Sequence, residues 1–289
     1  MEPLSEMQVF GPVGQCIYCC RPSKKPDYRD LSDEHIVPAM LNGQWLLRKA
    51  SCADCADITK RFEGYVGRKQ FWQFRATEVP RKRRKKDAPE TLPLLVRYPD
   101  RVEEVAIPVR DHPSIISFPV WNWPTLLTGG SPEDVWAEDY EVTFWIAKPI
   151  TMMIPSNITK LMEKWRFDGA LSFSYDPQVD TRKFARFIAK IAHSYAVANY
   201  GLNLFCPFLL DIILGRADCT PYLIGANPER QPPTPFKSHE LSLRIREFNG
   251  TTYVFGRVRL FTDLGSESNS PGTPDYWVVV GDIPRPPRI

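Results

Sequence analysis

The most regular pattern of apolar positions in the chain runs from Asp180 to Asn199, DTRKFARFIAKIAHSYAVAN. There Phe184, Phe187, Ile188, Ile191, Tyr195 and Ala198 recur at helical spacing. Asp180 or Thr181 can cap the start of this helix, and Gly201 follows its end. Downstream, LSLRIREF, TTYVFGRVRLF and YWVVVGDI read as three strands. Upstream, LPLLVRYPDRVEEVAIPVRDHPSIISFPVW alternates like short strands interrupted by prolines, and YEVTFWIAKPITMMI reads as another strand. Nearer the N-terminus, EHIV has the character of a strand end that Pro38 stops, LNG is turn chemistry, and QWLLRKAS is the returning strand. A helix is expected from CADCADITKRFEGYVGRKQFWQF, with Ile58, Phe62, Tyr65 or Val66, and Lys69 or Gln70 marking its faces; Gly64 and Gly67 work against it. The pattern predicts an α+β protein. Residues 1–75 form a small cysteine-bearing unit, 76–91 a polar linker, and 92–289 a larger, sheet-rich mixed α/β domain.

Charge sharpens this division. The formal net charge is +3, but residues 60–86 hold eleven Lys and Arg against Glu63 and Glu78, a local +9 that leaves the remainder at −6. Lys60, Arg68 and Lys69 lie on the predicted helix, and Arg81, Lys82, Arg83, Arg84, Lys85 and Lys86 follow as an unbroken run. So local an imbalance points to one surface that faces a polyanion. Trp72, Phe71 and Phe74 in the same region are expected in the core. No apolar run approaches the ~18 to 20 residues of a membrane span, and MEPLSEMQVFGPVGQ has no secretory character. A cytoplasmic protein without a membrane partner is expected.

Seven cysteines in such a chain are expected to be reduced. Cys16/Cys19 and Cys52/Cys55 form two CxxC pairs, spacing that supplies four thiolates to one structural Zn²⁺. Cys206 and Cys219 sit in apolar contexts and are expected to be small buried hydrophobes.

Between the two pairs lies LSDEHIVPAMLNGQWLLRKAS. With CIYC before it and ASCADCADITKRFE after it, the segment over residues 14–66 resembles the zinc-containing HNH endonucleases, the ββα-metal nucleases. The resemblance implies a DNA phosphodiesterase. His35 would be the general base on an attacking water, and Glu34 would hold a catalytic Mg²⁺ or Mn²⁺. Neighbours on a regular strand point to opposite faces, so serving one site requires a distorted strand end. Where the family often has Asn or His after the last cysteine, this chain has Ala56, and the middle Asn has no match. Replacement ligands could come from Asp57 or Glu63, although Asp57 also suits a helix N-terminus and Glu63 an ion pair with Lys60. The rival is a degenerate HNH scaffold that binds nucleic acid, most simply double-stranded DNA, without cutting it. The C-terminal part resembles the tails of uncharacterised bacterial HNH proteins, and target recognition or partner docking is the role expected of it here.

Overall fold

The computed structural model describes residues 7–77, 90–109, 111–113, 115–130, 150–153, 158–174, 179–217, 220–227, 231–234, 237–264 and 272–284. The basic run 81–86, most of the linker, Cys219 and the segment 140–149 lie outside the described residues.

The N-terminal unit is built on strands β1 (Gln8–Phe10), β2 (Leu31–His35) and β3 (Trp45–Cys52), with β3 central, parallel to β1 and antiparallel to β2. The turn between β2 and β3 depends on Asn42, at φ 65°, and on Gly43, where an added Cβ would lie 1.9 Å from the Val37 carbonyl oxygen. Helix α1 (Ala53–Tyr65) follows directly with Cys52 as its N-cap, burying Cys55, Ala56, Thr59 and Phe62. A π-helical turn over Val66–Gln70 then continues into α2 (Trp72–Thr77). Gly64 and Gly67 are thus accommodated, and Gly67 packs under Met40.

Strands β4 (Thr91–Arg97), β5 (Val102–Pro108) and β8 (Ser172–Ser174) form a second sheet, and β6 (Ile115–Phe118) pairs with β7 (Ile150–Met153). Helix α3 (Ile158–Trp165) supplies Leu161 to a satellite core with Leu94, Val96, Ile107 and Phe167. The long helix α4 spans Thr181–Tyr200, capped by the Asp180 carboxylate on the Lys183 amide and ended by Gly201. The largest sheet is ordered β10 (Ile224–Ala226), β13 (Asp275–Ile283), β12 (Thr251–Leu260), β11 (His239–Phe248), with β9 (Cys206–Pro207) on β13. Short helices α5 (Leu210–Leu214) and α6 (Thr220–Leu223) lie between β9 and β10 in the chain. The mixed α+β class expected from the pattern is what the fold shows. No described helix is long and apolar enough to cross a membrane.

The main core does not stop at the end of the cysteine-bearing unit. Cys16, Ile36, Phe62 and Phe71 share one buried cluster with Phe118, Phe184, Ile188, Val254 and Val278. Phe71 makes edge contacts with Phe118, Phe184 and Phe261 at centroid separations of 5.5, 6.0 and 5.5 Å. Helix α4 is the reason. One side lies on the large sheet, close enough that a Cβ at Gly256 would sit 2.9 Å from that of Ala192. Its other side receives the N-terminal unit, so Lys190, His193 and Ser194 are buried as completely as Phe187 and Ile191.

Two histidines stitch the parts together. His193 Nε2 donates to the Ile17 carbonyl at 2.8 Å, and His239 Nε2 donates to the Leu41 carbonyl at 2.8 Å. Burial holds each of them at about 4, against an unfolded value near ~6.5. Between these values the unfolded chain binds more protons, so stability falls as pH drops from 6.5 toward 4. Urea denaturation should show a loss of about 3 kcal/mol between pH 6.5 and 5 for the pair together. A flat profile over that interval would mean the two rings are not held neutral.

Candidate metal and carboxylate sites

The first CxxC is a tight knuckle. The Cys16 amide donates to the Arg21 carbonyl at 2.8 Å, and the Cys20 amide returns to the Cys16 carbonyl at 2.9 Å, with Cys20 at φ 58°. The second pair spans the end of β3 and the first turn of α1, and the Ile17 amide bonds the Ala50 carbonyl at 2.8 Å, which sets one knuckle against the other. The four Sγ atoms lie within 4.8 Å of one another, and those of Cys19 and Cys52 are 3.8 Å apart. A tetrahedron of ~2.3 Å metal–sulfur bonds has edges of about 3.8 Å, so these residues could hold one metal ion. Burial pushes the Cys16 thiol up to about 11 and the Cys55 thiol higher still. Among the described residues no other group of three or more His, Cys, Asp and Glu side chains is gathered closely enough to hold a metal.

The strand bearing Glu34 and His35 is irregular just before them, but the two residues themselves keep regular register opposite Leu47 and Leu46, so the distortion expected for a shared site does not fall at this pair. Ser32 pairs with Ser51 but Glu34 pairs with Leu47, so the register breaks around Asp33, whose carboxylate accepts the Lys49 amide at 3.0 Å. Glu34 turns inward and is buried. Glu63, near the end of α1, converges on the same point. What they converge on is the Lys190 ammonium from α4, 2.5 Å from Glu34 Oε1 and 2.8 Å from Glu63 Oε1. The same Nζ donates to the carbonyls of His35 and Ile36, the latter at 3.2 Å. The Tyr18 hydroxyl hydrogen-bonds Glu34, and Ser194 Oγ lies 3.2 Å from it, which ties this cluster to the cysteine knuckle.

Burial alone would strip the proton from Lys190, but the Glu34 and Glu63 carboxylates outweigh it and raise the ammonium above its ordinary range. The cation is therefore permanent at neutral pH. His35, at the rim of this cage, is half-buried, and its Nδ1 is buried with no hydrogen-bond partner among the described residues. Burial and then the Lys190 charge lower its pKa, so the ring is neutral at pH 7.

The other sequence candidates fall elsewhere. Asp57 is exposed and pairs with Lys60 at 3.3 Å, so it stands apart from Glu34, and Glu63 pairs with Lys190 instead of Lys60. Lys60, Arg68 and Lys69 are exposed, together with Arg61. Arg75 is structural: it donates to the carbonyls of Met40 at 2.9 Å and Gly67 at 2.6 Å. Phe71 is fully buried, as expected. Cys206, expected to be buried, is exposed on β9 because that short strand lies at the sheet margin. Lys190 was not among the sequence candidates. The one signal available was a lysine within the apolar stretch FIAKIA of a helix.

No known family model, curated protein or solved structure matches the chain.

Proposed function

We propose that Cys16, Cys19, Cys52 and Cys55 hold a structural Zn²⁺, and that the chain is a nucleic-acid-binding protein on an HNH-type ββα scaffold that does not cleave. One observation carries the reading. The oxygen cage in which the HNH resemblance calls for a catalytic divalent cation, Glu34 with Glu63 and two backbone carbonyls, surrounds the Lys190 ammonium. A fixed positive charge there repels a divalent ion and already satisfies the carboxylates it would need. The order β2, β3, α1, with one cysteine pair before β2 and the other at the β3–α1 junction, supports the scaffold. The exposed Lys60, Arg61, Arg68 and Lys69 support the polyanion partner, and double-stranded DNA is the simplest one.

The neutral, half-buried imidazole of His35 beside Glu34 favours a second reading, the endonuclease itself. In that case Mg²⁺ or Mn²⁺ would displace the ammonium, and His35 would take the proton from the attacking water. Incubating zinc-loaded protein with plasmid and Mg²⁺ or Mn²⁺ separates the two. Intact plasmid with salt-dependent retention is expected. Cleavage that His35→Ala abolishes would overturn the non-cleaving reading. For duplex binding, replacing Lys60, Arg68 and Lys69 with Glu should weaken affinity and lower the slope of log K against log salt by about 3. An unchanged slope would remove the α1 surface from the interface.

A further inference from the structure

The large C-terminal sheet packs one face on α4 through Val254, Gly256, Val258 and Val278 and carries a different chemistry on the other. Residues directly opposite on neighbouring strands share a face. Arg244 stands opposite Phe255, Arg246 opposite Tyr253, and Arg257 opposite Trp277, which places arginines and aromatic rings side by side. The Arg244 guanidinium sits 5.4 Å from the Trp277 ring centroid, and Trp123 supports Trp277 from 5.9 Å. Tyr253 is held between Phe208 and Phe255.

The acids on this face are mostly engaged further along it. Asp275 binds Arg257 at 2.7 Å, and Glu240 lies 3.6 Å from Arg259 and 3.9 Å from Arg257. Asp282, opposite Tyr253 on β13, is the remaining acid there among the described residues. Arg244 and Arg246 are exposed, with no acid within ion-pair distance among the described residues. They lie on β11, which among the described strands pairs with β12 alone and so stands at the sheet edge.

Part of this face is covered, since Phe255, Val279 and Arg259 are buried, but on the β11 side two exposed guanidinium groups lie beside the half-buried Tyr253 and Trp277 rings. Guanidinium groups without acid partners beside aromatic rings complement a strand that offers both phosphates and unstacked bases. Duplex DNA hides the base faces and offers phosphates and groove edges, which leaves a stacking side chain no base to stack on. We propose that this outer face binds single-stranded nucleic acid, with Arg246 on phosphate and Tyr253 and the Trp277-supported Arg244 stacking on bases. The proposal rests on the nucleic-acid reading above and assigns a second surface, separate from α1.

The test is fluorescence anisotropy on the full zinc-loaded chain with three probes: a labelled oligo-dT, an abasic strand of equal length, and a hairpin duplex. Wild type should bind oligo-dT about tenfold more tightly than the abasic strand. Because both arginines are exposed, R244E/R246E should keep the wild-type melting temperature. It should weaken oligo-dT binding by about tenfold or more while changing duplex binding less than about threefold. Tyr253→Ala should lose the preference for oligo-dT over the abasic strand, and Tyr253→Phe should retain it. Unchanged oligo-dT affinity in R244E/R246E, with wild type still binding duplex, overturns this inference and leaves the proposed function standing. Equal affinity of wild type for the abasic strand overturns the stacking, and an equal loss of duplex binding overturns the single-strand assignment. If wild type binds none of the probes, both readings fall.

Discussion

With the proposed Zn²⁺ seated in the four-cysteine cluster, stripping it, or replacing Cys52 with Ser, should unfold the N-terminal unit and with it the packing of α4. Structural zinc in small thiolate sites contributes roughly 10–16 kcal/mol at neutral pH, comparable to the ~5–15 kcal/mol total stability of a typical domain. Cys52 stands at the junction of β3 and α1, so loss of its bond to the metal loosens both elements at once. The effect should spread because α4 donates hydrogen bonds to this unit's carbonyls at Ile17, His35 and Ile36, and those carbonyls move with the knuckles. With the Cys16 thiol at about 11, metal binding also has to displace protons. Calorimetric titration of zinc into stripped protein in buffers of different ionisation enthalpy should therefore show proton release. The measurement for unfolding is thermal denaturation by circular dichroism with and without a strong chelator. An unchanged melting curve after complete metal removal would mean the thiols are a loose group and not a clamp.

The second large effect belongs to Lys190. Lys190→Met keeps the length of the side chain and removes the charge, leaving Glu34 and Glu63 facing each other in a buried site. Removing one partner from a buried ionic cluster costs about 3–5 kcal/mol, because the remaining charges are left uncompensated. For a chain of this size that corresponds to a fall in melting temperature of roughly 6–20 °C. The same substitution in a Glu34→Gln/Glu63→Gln background should cost much less, since no unpaired charge remains. The double-mutant cycle therefore reads the coupling directly. A cost below about 1 kcal/mol in the wild-type background would place the ammonium in solvent.

Much of this arrangement could be read along the chain, and the part that could not has a common cause. Helix α4 was legible end to end, because Asp180, Gly201 and the run Phe184, Phe187, Ile188, Ile191 are local signals. The cysteine spacing likewise found its four members, whereas the strand distortion expected at Glu34 and His35 falls earlier, around Asp33, and leaves that pair in regular register. Lys190 was not legible as an interior residue, although His193 reads from its helix as a packed or capping residue. A lysine on an amphipathic helix reads as its solvent side unless a second layer covers it, and that layer is more than 150 residues away in sequence, at Glu34 and His35. The same distance explains Asp57 and Glu63. Both are acids on α1, and only the direction of each side chain relative to α4 separates the exposed partner of Lys60 from the inward partner of Lys190. The linker at 76–91 is a break in composition, but Phe71 before it and Phe118 after it belong to one core.

The most direct test of the central claim is a Mn²⁺ titration of the zinc-loaded wild-type protein, followed by electron paramagnetic resonance. With the Lys190 ammonium seated between Glu34 and Glu63, Mn²⁺ should remain free in solution at concentrations up to about a millimolar. One tightly bound equivalent that Glu34→Gln abolishes would contradict the account.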